Sequence, residues 1–459
     1  MCIRDRIYYR QAIAMQPDFS EAHYHLGLAL QLQRKLAAAL DCYQRVLQLN
    51  PDCGEAYYNL GKIYQDLGEL VQATASFKLG LKLLNPNYDK ALEFGDDLES
   101  FANSFTVPQV TSAEIAIAEH KFPVIPKLPE GESKRPFWSV VIPVVNRPEY
   151  FPECLANVLA QWKDHEDMEI IVLDNGSEPP QWQIPETLGR GIVRYYRFPK
   201  TISLQENWNA AVSLCRGQWI HLLHHDDYIL PEFYSRLRAG LETCPQSVGA
   251  AFTGYQNINE ERQVVFSQDH NLKNYRGIVP NWILRIGVSC PLSPPSLVIR
   301  RAVYEELGGY KLDLPYTCDW EFYKRVATFY DWWYEPGILA HYREQANSIT
   351  VAENINGSSG VAHRRAIEIS ASYLPAECRD AITAKSFAFH FDWCLKRAEI
   401  PLKAGNFEGV FSLVKEAFKM DNSSEAIARL HAWLDRDQIE PFKNKILNQL
   451  DGFKEVAKN

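Results

Sequence analysis

The middle of the chain alternates short apolar runs with segments of helical spacing. Residues 138–145 read Trp-Ser-Val-Val-Ile-Pro-Val-Val, a β-branched run that is typical of a strand buried on both faces. Apolar residues at helical spacing follow it at Leu155, Val158, Leu159 and Trp162. This alternation predicts an α/β sheet with right-handed crossovers. Further strands are predicted at 169–174, 193–196, 218–223 and 297–300, and a further helix at 205–215.

Polar side chains follow three of these predicted strands. They are Asn146-Arg147, Asp174-Asn175 and the run His224-His225-Asp226-Asp227. Ligands of open α/β sheets bind beyond the carboxyl ends of the strands. The pattern therefore predicts that these groups converge on one crevice, where the chemistry takes place.

The N-terminal region repeats itself with a period of 34 residues. The matching positions are Pro17 with Pro51, Leu26-Gly27 with Leu60-Gly61, Ala39 with Ala73, and Tyr43 with Phe77. This pattern resembles the tetratricopeptide repeat, in which each unit is a pair of helices. Residues 7–16 fit the second helix of an earlier repeat, whereas residues 1–6 fit that helix poorly and suggest a truncated gene or a sequence scar. We expect the array either to bind a protein partner on its concave face or to pack on the next domain.

Changes in composition divide the chain into four parts. Prolines between residues 122 and 131 oppose both helix and sheet, and the Gly-Ser-rich stretch 356–360 predicts a hinge. Beyond it the pattern is helical, with a second repeat-like helix pair near residues 404–418. The predicted parts are repeats at 1–95, a linker at 96–136, an α/β domain at 137–355 and a helical region at 356–459.

Composition limits the classes of partner. The 459 residues carry 48 basic and 57 acidic side chains, a net charge of −9, which does not favour nucleic acid. No apolar run approaches the roughly 20 residues of a membrane span. The ten cysteines never form a Cys-x-x-Cys pair, which favours a reducing compartment. We therefore predict a cytoplasmic protein, and leave open a peripheral position at the inner face of the membrane.

Six stretches of the central domain, taken in order, resemble the family 2 glycosyltransferases of the GT-A (Rossmann-like) fold. They are Ser139 to Arg147 (SVVIPVVNR), Val172 to Ser177 (VLDNGS), Asn207 to Asn209 (NWN), Gly217 to Pro231 (GQWIHLLHHDDYILP), Leu307 to Tyr310 (LGGY) and Cys318 to Phe322 (CDWEF). The resemblance implies a mostly parallel sheet. It also implies transfer of a sugar from a nucleotide-diphosphate donor, with inversion, to a hydroxyl of a glycan, lipid-linked or protein acceptor. Polysaccharide biosynthesis is the usual setting of such enzymes.

Asp226 and Asp227 resemble the family's metal-binding DXD element. A nucleoside diphosphate leaving group develops negative charge, which a Mn²⁺ or Mg²⁺ ion held by carboxylates neutralises. The resemblance implies Asp226 as the direct ligand and Asp227 as a ribose or water-mediated partner, although the two could exchange roles. His224 stands where the family often has an acidic residue. Two alternatives are a solvated turn and a zinc or iron site that includes His221, His224 and His225.

Asp319 matches the catalytic aspartate of the family and is implied to be the general base that deprotonates the acceptor hydroxyl. Its alternative role is to cap a helix over 320–328. Trp320 and Glu321 are then expected to contact the acceptor. His341 and Arg343 are expected on the diphosphate side, because Gln345 occupies the position of a common family histidine.

The resemblance also implies a nucleotide site. The backbone from Pro143 to Val145 would hold the base and ribose, with Asn146 or Arg147 near the diphosphate. Asp174 would bind the nucleotide base, and its alternative role is to close the turn at Asn175-Gly176. Asn209, in the Asn-Trp-Asn stretch, is a further expected donor contact.

The sequence leaves one rival function open. A repeat-based scaffold with a degenerate, inactive central domain would explain the unusual His224, Cys318 and Gln345. The retained aspartates favour the enzyme.

Overall fold

The computed structural model describes residues 3–88, 114–117, 120–129, 135–272, 275–346, 348–436 and 439–448. The repeats contain helices α1 (Ile3–Met15), α2 (Ser20–Gln31), α3 (Leu36–Leu49), α4 (Gly54–Asp66) and α5 (Leu70–Leu84). A hairpin of β1 (Glu114–Ile117) and β2 (His120–Pro123) follows. The central domain begins with β3 (Trp138–Val144), α6 (Phe151–Leu159), β4 (Met168–Asp174), α7 (Gln183–Gly189), β5 (Val193–Arg197), α8 (Leu204–Leu214) and β6 (Trp219–Leu222).

The second half of the central domain is more irregular. Its elements are β7 (Tyr228–Ile229), α9 (Phe233–Leu241), β8 (Val248–Ile258), β9 (Val264–Gln268), β10 (Gly277–Ile278), α10 (Ile283–Ile286), β11 (Leu297–Arg300), α11 (Arg301–Leu307), α12 (Cys318–Phe329) and β12 (Asp331–Arg343). The C-terminal helices are α13 (Ile349–Asn356), α14 (Ser358–Ala371), α15 (Ala376–Arg397), α16 (Glu399–Lys403), α17 (Phe407–Met420) and α18 (Ser424–Leu434). In the part of the chain that is described, no helix combines the length and apolarity that crossing a membrane requires.

The main sheet has the strand order β10-β12-β8-β11-β6-β3-β4-β5. Strands β3, β4, β5, β6, β8 and β12 point the same way, and β10 and β11 oppose them. The mostly parallel α/β sheet predicted from the apolar runs is therefore confirmed. Strands β3 and β4 are buried along their whole length, as their continuous apolar runs require.

The repeats form helix pairs, as the 34-residue period predicts. A Cβ on Gly27 would lie 2.9 Å from the Tyr43 ring, and one on Gly61 would lie 2.7 Å from the Phe77 ring. Glycine is needed at both positions because an aromatic side chain of the second helix lies directly against the first. Helix α1 begins at Ile3, so part of the stretch 1–6 is helical, contrary to expectation.

The repeats pack on the central domain. Phe77, Leu81 and Tyr88 belong to the same buried cluster as Trp138 and Leu155. The packing role predicted for the array is therefore present, and a partner on its concave face stays a prediction.

Part of the predicted linker is integral to the central domain. Phe122 and Ile125 are each 1% exposed and lie in the core on one side of the sheet. The carbonyl oxygen of Pro123 accepts a hydrogen bond from Gly309 N at 2.7 Å. The prolines thus do not keep 120–129 apart from the domain, because apolar side chains between them are buried. Residues 96–113 of the predicted linker lie outside the described residues.

The C-terminal helices pack on α12. Thr317 Oγ1 donates to the Ala362 carbonyl at 3.0 Å, and the Tyr373 hydroxyl donates to Glu321 Oε1 at 3.0 Å. The predicted hinge at 356–360 reduces to Gly357, whose φ of 78° breaks the chain between α13 and α14. Residues 358–360 are already helical, which corrects the expectation that the hinge extends to residue 360.

Candidate functional site

The candidate site lies at the carboxyl ends of β3 and β6. The turn 224–227 follows β6, residues 145–147 follow β3, and the end of β12 lies beside both. Asp319 comes from the first turn of α12. The strand-end rule applied to the sequence therefore located two of the contributing loops, whereas β12 joins them only through the tertiary fold.

The two aspartates of the turn have different surroundings. Asp227 is 1% exposed, and its Oδ1 accepts a hydrogen bond from Arg343 N at 2.8 Å. Asp226 is half-buried, and its Oδ2 accepts from Gln345 Nε2 at 2.6 Å. The last residue of β12 thus holds Asp227 through its backbone, and Gln345, two residues beyond the strand, holds Asp226 through its side chain.

The donor atoms at this turn fit a divalent cation. Ligand atoms of His224, Asp226 and Asp227 all lie within 4.8 Å of one another. Asp227 Oδ2 and His224 Nε2 are buried, and neither finds a hydrogen-bond partner among the described residues. Two carboxylates and one imidazole, with an unsatisfied atom on Asp227 and another on His224, form a donor set that Mn²⁺ or Mg²⁺ would complete.

The pKa shifts of these side chains also favour a bound cation. Burial and the neighbouring Asp226 raise the pKa of Asp227 well above its ordinary value. Burial lowers the pKa of His224 to about 4, so its ring is neutral at pH 7 and keeps a lone pair for a ligand. Adjacent carboxylates in a shielded turn repel each other, and a bound cation would relieve that repulsion.

The three-histidine alternative is wrong. His221 is completely buried, its Nδ1 lies 2.9 Å from the Tyr234 hydroxyl, and its ring stacks on Phe233. His224 lies beyond the end of β6 and stacks on Trp208 with 5.1 Å between ring centres. The side chains of His221 and His224 therefore lie in different environments, and only His224 joins the aspartates.

Gln345 connects the turn 224–227 with the loop after β3. Its amide nitrogen donates to Asp226, and its amide oxygen accepts a hydrogen bond from the Arg147 guanidinium. The sequence singled out Gln345 only as a departure from the family pattern. In the structure it aligns Asp226 with Arg147, the residue expected near the diphosphate.

Arg343 supports the turn from behind. It is 3% exposed, its Nε donates to the Asp226 carbonyl at 3.0 Å, and its Nη2 lies 3.4 Å from Glu153. Burial and the engagement of two of its three guanidinium nitrogens oppose the expected contact of Arg343 with the diphosphate. His341 is likewise held, with Nδ1 2.9 Å from the Tyr228 hydroxyl, and burial lowers its pKa to about 4. The expected place of His341 on the diphosphate side stays a prediction.

Asp319 is a partly exposed carboxylate in a shielded position. Burial raises its pKa to about 6. The hydrogen bonds that its carboxylate accepts from backbone N–H groups lower the pKa, but by less. One of these is Trp320 N, 2.7 Å from Oδ1. The helix begins at Cys318 and its N-cap is Thr317, so Asp319 lies within the first turn and is not the cap. A carboxylate that ionises near pH 6 suits general base chemistry at neutral pH.

Trp320 and Glu321 face the core. Trp320 is 2% exposed and its indole N–H donates to the Ile286 carbonyl at 2.7 Å. Glu321 is 0% exposed and is paired with Arg325 at 3.0 Å. Both were expected to contact the acceptor, and both expectations are wrong because the two side chains point away from the surface and are bonded within the protein.

Asp174 closes a turn. It is 0% exposed, Oδ1 accepts from Ser177 N at 2.8 Å, and Oδ2 accepts from Gln181 N at 3.0 Å and from the Tyr195 hydroxyl. The structure thus supports the turn-closing alternative and contradicts a direct contact with a nucleotide base.

Asn209 is also structural. It is 1% exposed, and its amide exchanges two hydrogen bonds, of 2.8 and 2.7 Å, with the backbone of Tyr310. This pairing fastens α8 to the Leu-Gly-Gly-Tyr stretch. The expected contact of Asn209 with the nucleotide-sugar donor is corrected, because its amide is buried and bonded within the protein, as the Asp174 carboxylate is.

The loop after β3 retains its predicted place. Pro143 is buried opposite Leu173, and Val145 is half-buried at the strand end. Asn146 is exposed with a φ of 45°, and its Oδ1 accepts from Glu178 N at 2.8 Å. This bond fixes the loop that carries Arg147. Nucleotide contacts from Pro143, Val145, Asn146 and Arg147 stay predictions.

Residues 139–308 match the family model "Glycosyl transferase family 2", and residues 20–53 and 54–83 each match a tetratricopeptide repeat model. The chain thus carries a family 2 glycosyltransferase domain preceded by tetratricopeptide repeats, as its motifs predicted.

Curated relatives are distant. The chain is 25% identical over 210 residues to "Uncharacterized protein MT1568" of Mycobacterium tuberculosis, covering 42% of this chain and 62% of the relative. It is 23% identical over 202 residues to "Uncharacterized glycosyltransferase RT0329" of Rickettsia typhi, covering 42% and 61%. The chain therefore spans less than two thirds of each of these proteins.

Solved structures of similar shape include residues 1–349 of S. aureus TarS. That chain is 16% identical with a TM-score of 0.48, and the match covers 69% of this chain and 91% of TarS 1–349. Another is the mannosyltransferase PcManGT from Pyrobaculum calidifontis in complex with GDP-Man and Mn²⁺. It is 14% identical with a TM-score of 0.42, and the match covers 72% and 88%.

Proposed function

We propose that this chain is a metal-dependent, inverting glycosyltransferase that moves a sugar from a nucleoside diphosphate donor to a hydroxyl group of its acceptor. The observation that carries the proposal is the turn at Asp226 and Asp227, where two carboxylates lie beside His224 and one buried atom each of Asp227 and His224 lacks a hydrogen-bond partner among the described residues. A divalent cation bound there would neutralise the charge that develops on the leaving diphosphate.

Protein side chains supply the remaining roles. Arg147 lies next to this turn through Gln345, and its guanidinium would bind the diphosphate oxygens. Asp319 would accept the proton of the acceptor hydroxyl as that oxygen attacks the anomeric carbon. With a pKa of about 6, Asp319 is ionised at neutral pH and ready to accept it.

Two tyrosines connect the turn with the proposed base. The pKa of Tyr342 is raised mainly by burial and then by the charges of Asp227 and Asp226. Tyr316 adds a smaller upward shift. Burial raises the pKa of Tyr316 to about 12, and Asp319 contributes to that shift. The turn acts electrostatically on Tyr342 and Asp319 acts on Tyr316, which supports one site with the cation side at Asp226 and the acceptor side at Asp319.

The degenerate scaffold receives less support. Its main arguments were His224 and Gln345, yet both take part in the arrangement around Asp226. We infer a cytoplasmic enzyme of glycan synthesis whose acceptor is a glycan, a lipid-linked sugar or a protein. The free cysteines support the reducing compartment.

Calorimetric titration with UDP, dTDP and GDP, each with and without Mn²⁺, tests the proposal. We expect one nucleotide to bind in the micromolar range only when the metal is present. Asp226→Asn should remove that binding, and Glu344→Gln, an exposed change between Arg343 and Gln345, should retain it. Absence of binding by the unaltered protein under every condition would contradict the proposed function.

A further inference from the structure

A buried carboxylate joins the repeats to the cation-binding turn. Glu153, in the first turn of α6, is 1% exposed. Burial opposes its ionisation, but Arg262, Lys62, Arg343 and Gln65 together lower its pKa to about 2. We call Glu153 with these four side chains the Glu153 node.

The repeats contribute two members of the node. Gln65 of α4 forms two hydrogen bonds with Glu153. Its Nε2 donates to Glu153 Oε2 at 3.1 Å, and its Oε1 accepts from Glu153 N at 3.0 Å. Lys62, one helical turn earlier, places its Nζ 3.6 Å from Glu153 Oε1. One face of α4 is therefore directed at a single carboxylate of the central domain.

The central domain contributes the other two members. Arg262, from the turn between β8 and β9, lies 2.8 Å from Glu153 Oε2 and 3.2 Å from Asp66 of α4. Arg343 lies 3.4 Å from the same Glu153 oxygen. Three cations thus converge on one buried carboxylate, and removal of one contact shifts the balance at the others.

Arg343 connects Glu153 with the two aspartates of the proposed active site. Its backbone N–H bonds Asp227 Oδ1 at 2.8 Å and its Nε bonds the Asp226 carbonyl at 3.0 Å. Arg343 thus links Glu153 directly with both aspartates. Groups that hold a metal ligand from behind commonly change metal affinity by roughly 10- to 100-fold when they are altered.

We propose that the repeats, acting through the Glu153 node, position the cation-binding aspartates and so set the affinity for the metal–nucleotide complex. Gln65, Lys62 and Glu153 are positioning residues for that site. This inference rests on the proposed function, and it makes the repeats part of the enzyme rather than only a module for recruiting partners.

Two matched substitutions test the inference. Gln65→Leu removes the double contact with Glu153, and Asn85→Leu removes a second buried amide of the same interface. Both amides are 5% exposed, and Asn85 Nδ2 bonds the carbonyls of Leu159 and Trp162 at the opposite end of α6. The measurements are the melting temperature and the Kd of UDP, dTDP and GDP with and without Mn²⁺.

We expect both variants to lower the melting temperature, whereas only Gln65→Leu weakens the Mn²⁺-dependent binding, by roughly tenfold. Binding without metal should be the same in both. Lys62→Met is the second variant of the node if Gln65→Leu does not fold, and it should act in the same direction.

Equal losses in the Gln65 and Asn85 variants, or no loss in either, would overturn the inference while leaving the proposed function intact. If the unaltered protein shows no metal-dependent nucleotide binding, the proposed function fails and this inference fails with it.

Discussion

Asp319→Asn should make the protein more stable while removing its activity. The side chain keeps its shape, and its Oδ1 can still accept the hydrogen bond from Trp320 N, which is 2.7 Å away. What the change removes is a negative charge in a shielded position. If Asp319 is the general base, kcat should fall by roughly 10²- to 10⁴-fold.

The size of the stability gain follows from the pKa. Burial raises it from 3.8 to about 6 in the folded protein. A raised carboxyl pKa means that the folded state binds the proton more tightly than the unfolded state. Ionised Asp319 therefore destabilises the folded protein. This free-energy cost is absent below pH 3.8, grows as the pH rises and is complete above about pH 6. Two pK units correspond to about 3 kcal/mol, and solvent screening of this partly exposed group reduces the expected gain to about 1–3 kcal/mol.

Urea unfolding at pH 5 and pH 7.5 measures this gain. The difference in unfolding free energy between Asp319→Asn and the unaltered protein should be larger at pH 7.5. Asp313→Asn is the control, because Lys311 and Arg365 overcome the effect of burial and lower the pKa of Asp313. Asp313 contributes stability above its ordinary pKa that is lost as the pH falls, so its removal should slightly destabilise the protein at pH 7.5.

Two results would refute this reasoning. One is a variant that is less stable than the unaltered protein at pH 7.5, since Asp319 would then stabilise the fold. The other is a stability difference that does not change with pH, since the charge would then not be the cause. A stabilised variant that retains full activity would reject Asp319 as the base. It would still agree with the conclusion that burial raises the pKa of Asp319.

Four further outcomes are expected. Asp226→Asn should abolish Mn²⁺-dependent nucleotide binding in calorimetry with little change in melting temperature, and equal loss of fold and binding would reject its role as a ligand. Gln345→Ala should weaken that binding roughly tenfold, because Asp226 and Arg147 lose their common partner; an unchanged Kd would contradict the bridge. The kcat of the unaltered enzyme should rise with pH through about 6, and a flat profile from pH 5 to 8 would argue against Asp319. Asp174→Asn should lower the unfolding free energy by about 2 kcal/mol without changing nucleotide affinity, whereas a selective loss of affinity would restore a base contact.

Much of the site's location could be read from the sequence. The β-branched runs at 138–145 and 169–174 predicted strands, and the structure has them at Trp138–Val144 and Met168–Asp174. Since each strand end carries polar residues, the rule for open sheets placed Asp226 and Arg147 at one edge. Both features depend on local spacing, which a single sequence displays.

The roles of individual polar side chains could not be read in this way. Asp174, Asn209 and Glu321 are residue types that commonly bind ligands, but in the structure their oxygens and nitrogens are bonded to other parts of the chain. Their partners include Tyr195, 21 positions from Asp174, and Tyr310, 101 positions from Asn209. Sequence spacing gives no sign of such pairs, because the fold brings the partners together.

The sequence by itself determined the order of the domains, the helix pairs of the repeats, the mostly parallel sheet and the acidic turn, because these follow from periodicity, turn chemistry and motif order. Only the tertiary structure decided which atoms of the site remain unsatisfied and which residues support it from behind. Glu153 illustrates the difference: its contacts with Gln65 and Arg343 span 88 and 190 positions. Burial and hydrogen bonding between such distant residues arise only when the chain folds, and they determine the chemistry of each side chain.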